Sequence, residues 1–103
     1  MQVQIRWGKL DKSDALGEHV HEQIDHALRH YKARFSRVVI HLHDDNESKG
    51  GPHDKRCVIE ARPNGAEPLA VEGTGSDLYK TVSAVANKLE RAVRHFVDRH
   101  RDH

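Results

Sequence analysis

The sequence predicts an α+β fold: a two-layer sandwich of order β-α-β-β-β-α, with two helices packed on one face of a four-stranded mixed sheet. Three observations predict it. Four short segments alternate apolar and polar residues at the period of a half-buried strand. Two longer segments carry one apolar stripe each at helical spacing. Turn and cap residues separate all six. Elements with a single apolar face pack most economically as two layers, and strands that flank a helix run parallel through a right-handed crossover. At 103 residues the chain has room for one modest core, so 1–103 reads as a single domain.

The first strand is Met1 to Trp7, with Val3, Ile5 and Trp7 on one face and Gln2, Gln4 and Arg6 on the other. A turn follows Gly8. Ser13 is the expected N-cap of a first helix over 14–34, with Asp14 in its first turn and Gly17 as its weak point. Its stripe is Leu16, Val20, Ile24, Ala27, Leu28, Tyr31 and Phe35. Residues 37–43 alternate next, Val38, Ile40 and Leu42 against Val39, His41 and His43. The third strand sets Cys57, Ile59 and Ala61 against Arg56, Val58, Glu60 and Arg62, and Pro63-Asn64-Gly65 turns the chain. A fourth strand is expected over 67–73. Gly73-Thr74-Gly75 reads as the loop that frees the chain to begin a second helix; it also weakly resembles an anion-binding turn. Ser76 is the expected cap of that helix, whose stripe is Leu78, Val82, Val85, Ala86, Leu89, Val93 and Phe96, continuing to about residue 101.

The stretch HLHDDNESKGGPHDKRC, from His41 to Cys57, gathers three histidines, the only cysteine and four carboxylates. Side-chain alternation argues against a metal site there. Cys57 points with Ile59 and Ala61 into the core, whereas His41 and His43 point with Val39 to the open face. His53 reaches the pair only if the loop folds back, and the familiar zinc spacings are missing. The segment reads instead as a long hairpin connection turning at Gly50-Gly51-Pro52. His19, His26 and His30 fall within about 40° on the first helix. His26 and His30, at i and i+4, could hold a divalent metal, but a solvated flank accounts for them more simply. No metal and no cofactor are expected.

Several function classes drop out. No apolar run approaches the roughly 20 residues of a membrane span, and the N-terminus lacks a secretory block. One cysteine permits no internal disulfide; a cytoplasmic protein is expected. There is no P-loop, no dinucleotide-binding glycine pattern and no nucleophile elbow, so neither an enzyme nor a small-molecule substrate is expected. The five aromatics (Trp7, Tyr31, Phe35, Tyr79, Phe96) form no platform for stacking bases.

Charge distribution says more than the net +1. Residues 29–37 hold Arg29, Lys32, Arg34 and Arg37 and no acid. From Lys80 onward, Lys80, Lys88, Arg91, Arg94, Arg99 and Arg101 face only Glu90, Asp98 and Asp102. Such clustering is an electrostatic footprint for phosphate. The same residues also read as a solvated helix face with local ion pairs, Glu90 with Arg94 for instance. Ten histidines make the charge pH-sensitive, since unperturbed imidazole titrates near about pH 6.5.

Asp77-Leu78-Tyr79, Lys88-Leu89-x-Arg91 and the basic helix end through Arg99 and Arg101 resemble the bacterial hibernation promoting factor and ribosome-associated inhibitor A family. Asp14-Ala15-Leu16 and Arg34 before the second strand match as well, so the likeness spans nearly the whole chain. The resemblance implies a translation inhibitor that binds rRNA of the small ribosomal subunit at the decoding region. There it blocks access of mRNA and tRNA in non-growing cells under stress or in stationary phase, by occupancy and without covalent chemistry. It further implies that short members favour pairing of inactive ribosomes into dimers. By position, Lys88, Arg91 and Arg99 contact rRNA, supported by Arg101 and Arg34; Arg29, Lys32, Arg37, Lys80 and Arg94 join them on the charge argument alone. Gln23, His26 and His95 stand where family members carry basic residues, and the loop over 44–56 is longer and more acidic. The chain ends soon after the second helix, which favours the short form. A protein-interaction module that modulates a sigma factor is the alternative; an RRM-like RNA binder on the open sheet face is a third reading that fares poorly, because that face shows Gln, Arg, His and Glu rather than aromatics.

Overall fold

The computed structural model describes residues 1–44 and 54–100. Its elements are β1 (Gln2–Arg6), α1 (Asp14–Ala27), a single 3-10 turn (Lys32–Arg34), β2 (Phe35–Asp44), β3 (Lys55–Pro63), β4 (Leu69–Gly75) and α2 (Leu78–Arg99). The sheet runs β1-β2-β3-β4, with β1 parallel to β2 and the other neighbours antiparallel. Both helices cover one face, so the predicted α+β sandwich is the observed one. The expected turn at 50–52, His53 and Arg101 lie outside the described residues.

Local chemistry explains most boundaries. Ser13 caps α1 as expected, its hydroxyl accepting from the Leu16 N–H at 3.1 Å. Gly8 takes φ 62, and a Cβ there would stand 3.1 Å from the Leu42 carbonyl, so both conformation and space call for glycine. Gly65 turns the β3–β4 hairpin at φ 73. The α2 cap is Asp77 rather than Ser76: its carboxylate accepts from the Lys80 N–H at 3.2 Å, and its carbonyl accepts from the Thr81 hydroxyl at 2.8 Å.

α1 ends at Ala27, well short of residue 34. The Leu28 N–H still bonds the Ile24 carbonyl at 3.0 Å, then the chain turns and enters β2 at Phe35. Helical periodicity in the sequence runs on because Leu28, Tyr31 and Phe35 all reach the core by a different route. Phe35 does so from the sheet, its ring centroid 6.2 Å from that of Phe96. Strand pairing overrides a stripe that no Gly or Pro interrupts between Ala27 and Phe35. His26 and His30 therefore do not share a helix. His19 instead turns to α2, its Nε2 lying 3.0 Å from both the Tyr79 carbonyl and the Ser83 hydroxyl.

A bulge sits at the start of β2. Phe35 pairs with Pro63 but Arg37 with Arg62, so Ser36 is the extra residue. In unbroken alternation Phe35 would share the open face with Arg37, Val39 and His41; the bulge turns Phe35 into the core, while Arg37 keeps its place on the open side. β4 is Leu69–Gly75 rather than 67–73, so Gly73-Thr74-Gly75 is strand and not loop. These glycines admit α2: a Cβ at Gly73 would come within 2.9 Å of Val85 Cγ2, and one at Gly75 within 2.5 Å of Thr81 Oγ1.

Cys57 lies in the core, fully buried, as the alternation predicted, on the opposite face of the sheet from His41 and His43. Burial pushes its thiol up to about 12. The neutral thiol therefore favours the fold fully below about pH 9, and that contribution fades as pH rises from there toward 12. A thiol reagent is expected to leave Cys57 untouched at neutral pH until denaturant is added; prompt labelling of folded protein would contradict its burial. Gly73→Ala is expected to lower stability by about 1–3 kcal/mol in urea unfolding, and adding Val85→Ala should recover part of that loss.

Candidate nucleic-acid interface

α2 exposes one continuous basic surface because its apolar stripe leaves the rest of the helix to solvent. At about 100° per residue, Lys80 and Arg91 fall within about 20° of each other on the outward ridge, with Arg94 beside them. Lys88 and Arg99 coincide similarly on the flank toward β4. All five are exposed. By contrast, α1 turns Asp14, Glu18, Glu22 and Asp25 outward. The layer formed by the helices is thus basic along α2 and acidic along α1.

The basic residues are not equally available. Arg29 and Arg94 share one carboxylate, Glu90, at 3.3 and 3.4 Å, which includes the local pair that the sequence suggested. Lys32 is paired with Asp25. Lys88 donates to the Glu72 carbonyl at 2.8 Å and so fastens α2 to β4 while keeping its charge uncompensated. Among the described residues, Lys80, Arg91 and Arg99 make no side-chain ion pair. Arg34 stands at the end of the molecule where the β3–β4 turn meets the last turn of α2. There a shallow recess of about 300 Å³ is lined by Arg34, Asn64, Phe96 and His100 among others. Asn64 closes that end, its N–H and its side-chain amide donating to the Arg34 and Ala33 carbonyls.

The structure therefore gathers Lys80, Lys88, Arg91, Arg94 and Arg99 on one helix surface, with Arg29 tied at its border through Glu90; Lys32 is tied instead to Asp25, which lies beside Met1 and Val3. Arg37 does not join them, because it projects from the opposite side of the sheet. That open face also carries Arg6, Arg56 and Arg62, which the search for basic runs passed over since they are scattered along the chain. Strand alternation, not clustering, was the signal that could have found them. Two carboxylates accompany them there. Glu60 lies 3.3 Å from His41 Nε2, and Glu72 accepts from Arg56 at 3.1 Å. At the far end Lys55 is clamped by Asp44 and Asp54 at 2.9 and 3.2 Å, and Asp44 foremost raises its pKa. Among the described residues no three His, Cys, Asp or Glu side chains are grouped to hold a metal, and no helix is long and apolar enough to cross a membrane.

The structure is thus a two-layer α+β sandwich that presents one cationic helix surface. The chain belongs to the sigma 54 modulation protein / S30EA ribosomal protein family, whose model matches residues 3–101. Among solved structures it is similar to a ribosomal subunit interface protein from Coxiella burnetii, with TM-score 0.78 and 22% identity over 93% of this chain and 97% of that one. The N-terminal domain of Thermus thermophilus Protein Y gives TM-score 0.73 and 20% identity over 93% and 99%. A lipoprotein from Caulobacter crescentus has the same general fold at TM-score 0.52 and 14% identity, over 98% and 93%. No curated protein matches the chain.

Glu90 is the brake on this surface. Glu90→Gln is expected to release Arg29 and Arg94 and delay elution from a heparin column to higher salt, while changing stability by no more than about 1 kcal/mol. Unchanged elution would mean that the two arginines do not face the polyanion.

Proposed function

We propose that this protein is a ribosome-associated translation inhibitor of the hibernation type. It binds rRNA of the small ribosomal subunit at the decoding region, blocks mRNA and tRNA access in non-growing cells, and acts in the cytoplasm by occupancy without catalysis or cofactor. The observation that carries the reading is the α2 surface, where Lys80, Lys88, Arg91 and Arg99 keep charges that no carboxylate among the described residues neutralises. Phosphate in an RNA backbone compensates such a row and releases counterions as it does so. Family membership and the fold shared with a ribosomal subunit interface protein support the same direction. Arg34 extends the surface at the helix end, with Arg29, Lys32 and Arg94 as peripheral contributors. Pairing of ribosomes into dimers is part of this proposal.

The family description also names sigma 54 modulation, which favours a second reading as a protein-interaction module without direct RNA contact. Salt separates the two, since each lost phosphate contact flattens the dependence of log K on log salt by about 0.7–0.9.

Co-sedimentation with purified small subunits, at two salt concentrations and at about pH 6 and 7.5, tests both. Binding is expected to weaken steeply with salt and to fall at least tenfold in Lys88→Glu/Arg91→Glu. His41→Ala/His43→Ala is expected to bind like the parent. Salt-independent binding, or full binding by the charge-reversed variant, would sink the α2 assignment.

A further inference from the structure

Arg37 and Arg62 are left over by that reading. They lie directly opposite each other in the β2–β3 register, on the open face, with Gln2 of β1 completing the row. Opposed side chains on one face have Cβ atoms about 4.5–5.5 Å apart, and like charges so placed repel. Neither guanidinium can escape by losing its proton. Among the described residues neither makes an ion pair: Glu60 and Glu72 of this face contact His41 and Arg56. The Nε–H of Arg37 is moreover buried and meets no acceptor among the described residues. An unmet buried donor of this kind is destabilising, the more so when charged.

A bulge borders the pair. Ser36 is the inserted residue, its hydroxyl donating to the Arg62 carbonyl at 3.3 Å, and Arg37 follows it in regular register with Arg62. Two adjacent planar forks with free donors suit the oxygens of a phosphate, which both can engage at once.

We propose that Arg37 and Arg62 form a second phosphate-binding site on the open sheet face that takes the phosphodiester backbone of an RNA segment. It lies on the opposite layer from α2 and near the end that carries Arg34. The inference rests on the RNA-directed reading above, and it gives the protein two RNA-binding faces. A strand held on α2 and a segment held on the sheet would then be fixed relative to each other, as occupancy of a channel between RNA walls requires. His41 and His43 take no part.

Titration of 15N-labelled protein with a short oligouridylate tests it, read at the arginine Nε–H signals. Arg37 and Arg62 are expected to shift in the parent and also in Lys88→Glu/Arg91→Glu. Arg37→Gln/Arg62→Gln is expected to lose several-fold in affinity for oligouridylate and for small subunits, and to flatten the salt dependence by about 0.7 per contact. Because that variant removes a repulsive pair, its Tm should not fall, and its spectrum elsewhere should match the parent. Shifts confined to α2 would overturn the second site and leave the ribosome reading standing. No shift on either face would overturn both. Equal response of Arg37 and Arg62 to inorganic phosphate at matched phosphate concentration would make this a small-anion site and overturn the RNA assignment.

Discussion

The seating of α2 on β3 and β4 is the constraint on which the rest depends. Val82, Val85, Leu89 and Val93 are essentially inaccessible to solvent, and burying a side chain of this size is worth about 1.5–3 kcal/mol. That burial needs the helix close to the sheet, which the missing side chains at Gly73 and Gly75 permit. Lys88, reaching the Glu72 carbonyl, then satisfies an acceptor on a strand at the sheet edge. Once the stripe is fixed inward, the angular positions of Lys80, Arg91, Arg94 and Arg99 follow from helix geometry alone. The interface is a consequence of the core.

Pairing then sorts the charges into those that are spent internally and those that remain for a partner. Glu90 holds Arg29 and Arg94 at the boundary between the helices, while Asp25 holds Lys32 on the β1 side of α1. Beyond that boundary Lys80, Lys88, Arg91 and Arg99 make no ion pair among the described residues. A net charge near zero therefore conceals a polarised molecule, and polarisation rather than total charge shapes the field that a charged partner meets.

The open face follows a different logic. It lacks the aromatic residues of a base-stacking sheet, so bases have little to recognise there. Its arginines nevertheless can meet phosphate, because contact with the backbone needs donors and charge rather than π-surfaces. Where Arg56 and His41 have carboxylate neighbours, the face is electrostatically quiet; at the bulged end it is not.

Much of this was legible in the sequence. Periodicities of two and of about 3.6 residues determined the six elements, the two layers, the burial of Cys57 and its separation from His41 and His43. The Ser13 cap and the basic ridge of α2 could also be read directly, since each depends on residues within one element. What only the tertiary structure decided were features that depend on two elements meeting. α1 stops at Ala27 because Phe35 is worth more paired with Pro63 and packed on Phe96 than as another turn of helix. β4 extends through Gly73 and Gly75 because α2 lies against it, which local turn chemistry does not reveal. Phe35 changes faces because one extra residue, Ser36, enters a ladder whose register belongs to β2 and β3 jointly. A sequence states what each segment can bury; which partner it is buried against, and so where its charges finally point, is settled only when the segments pack.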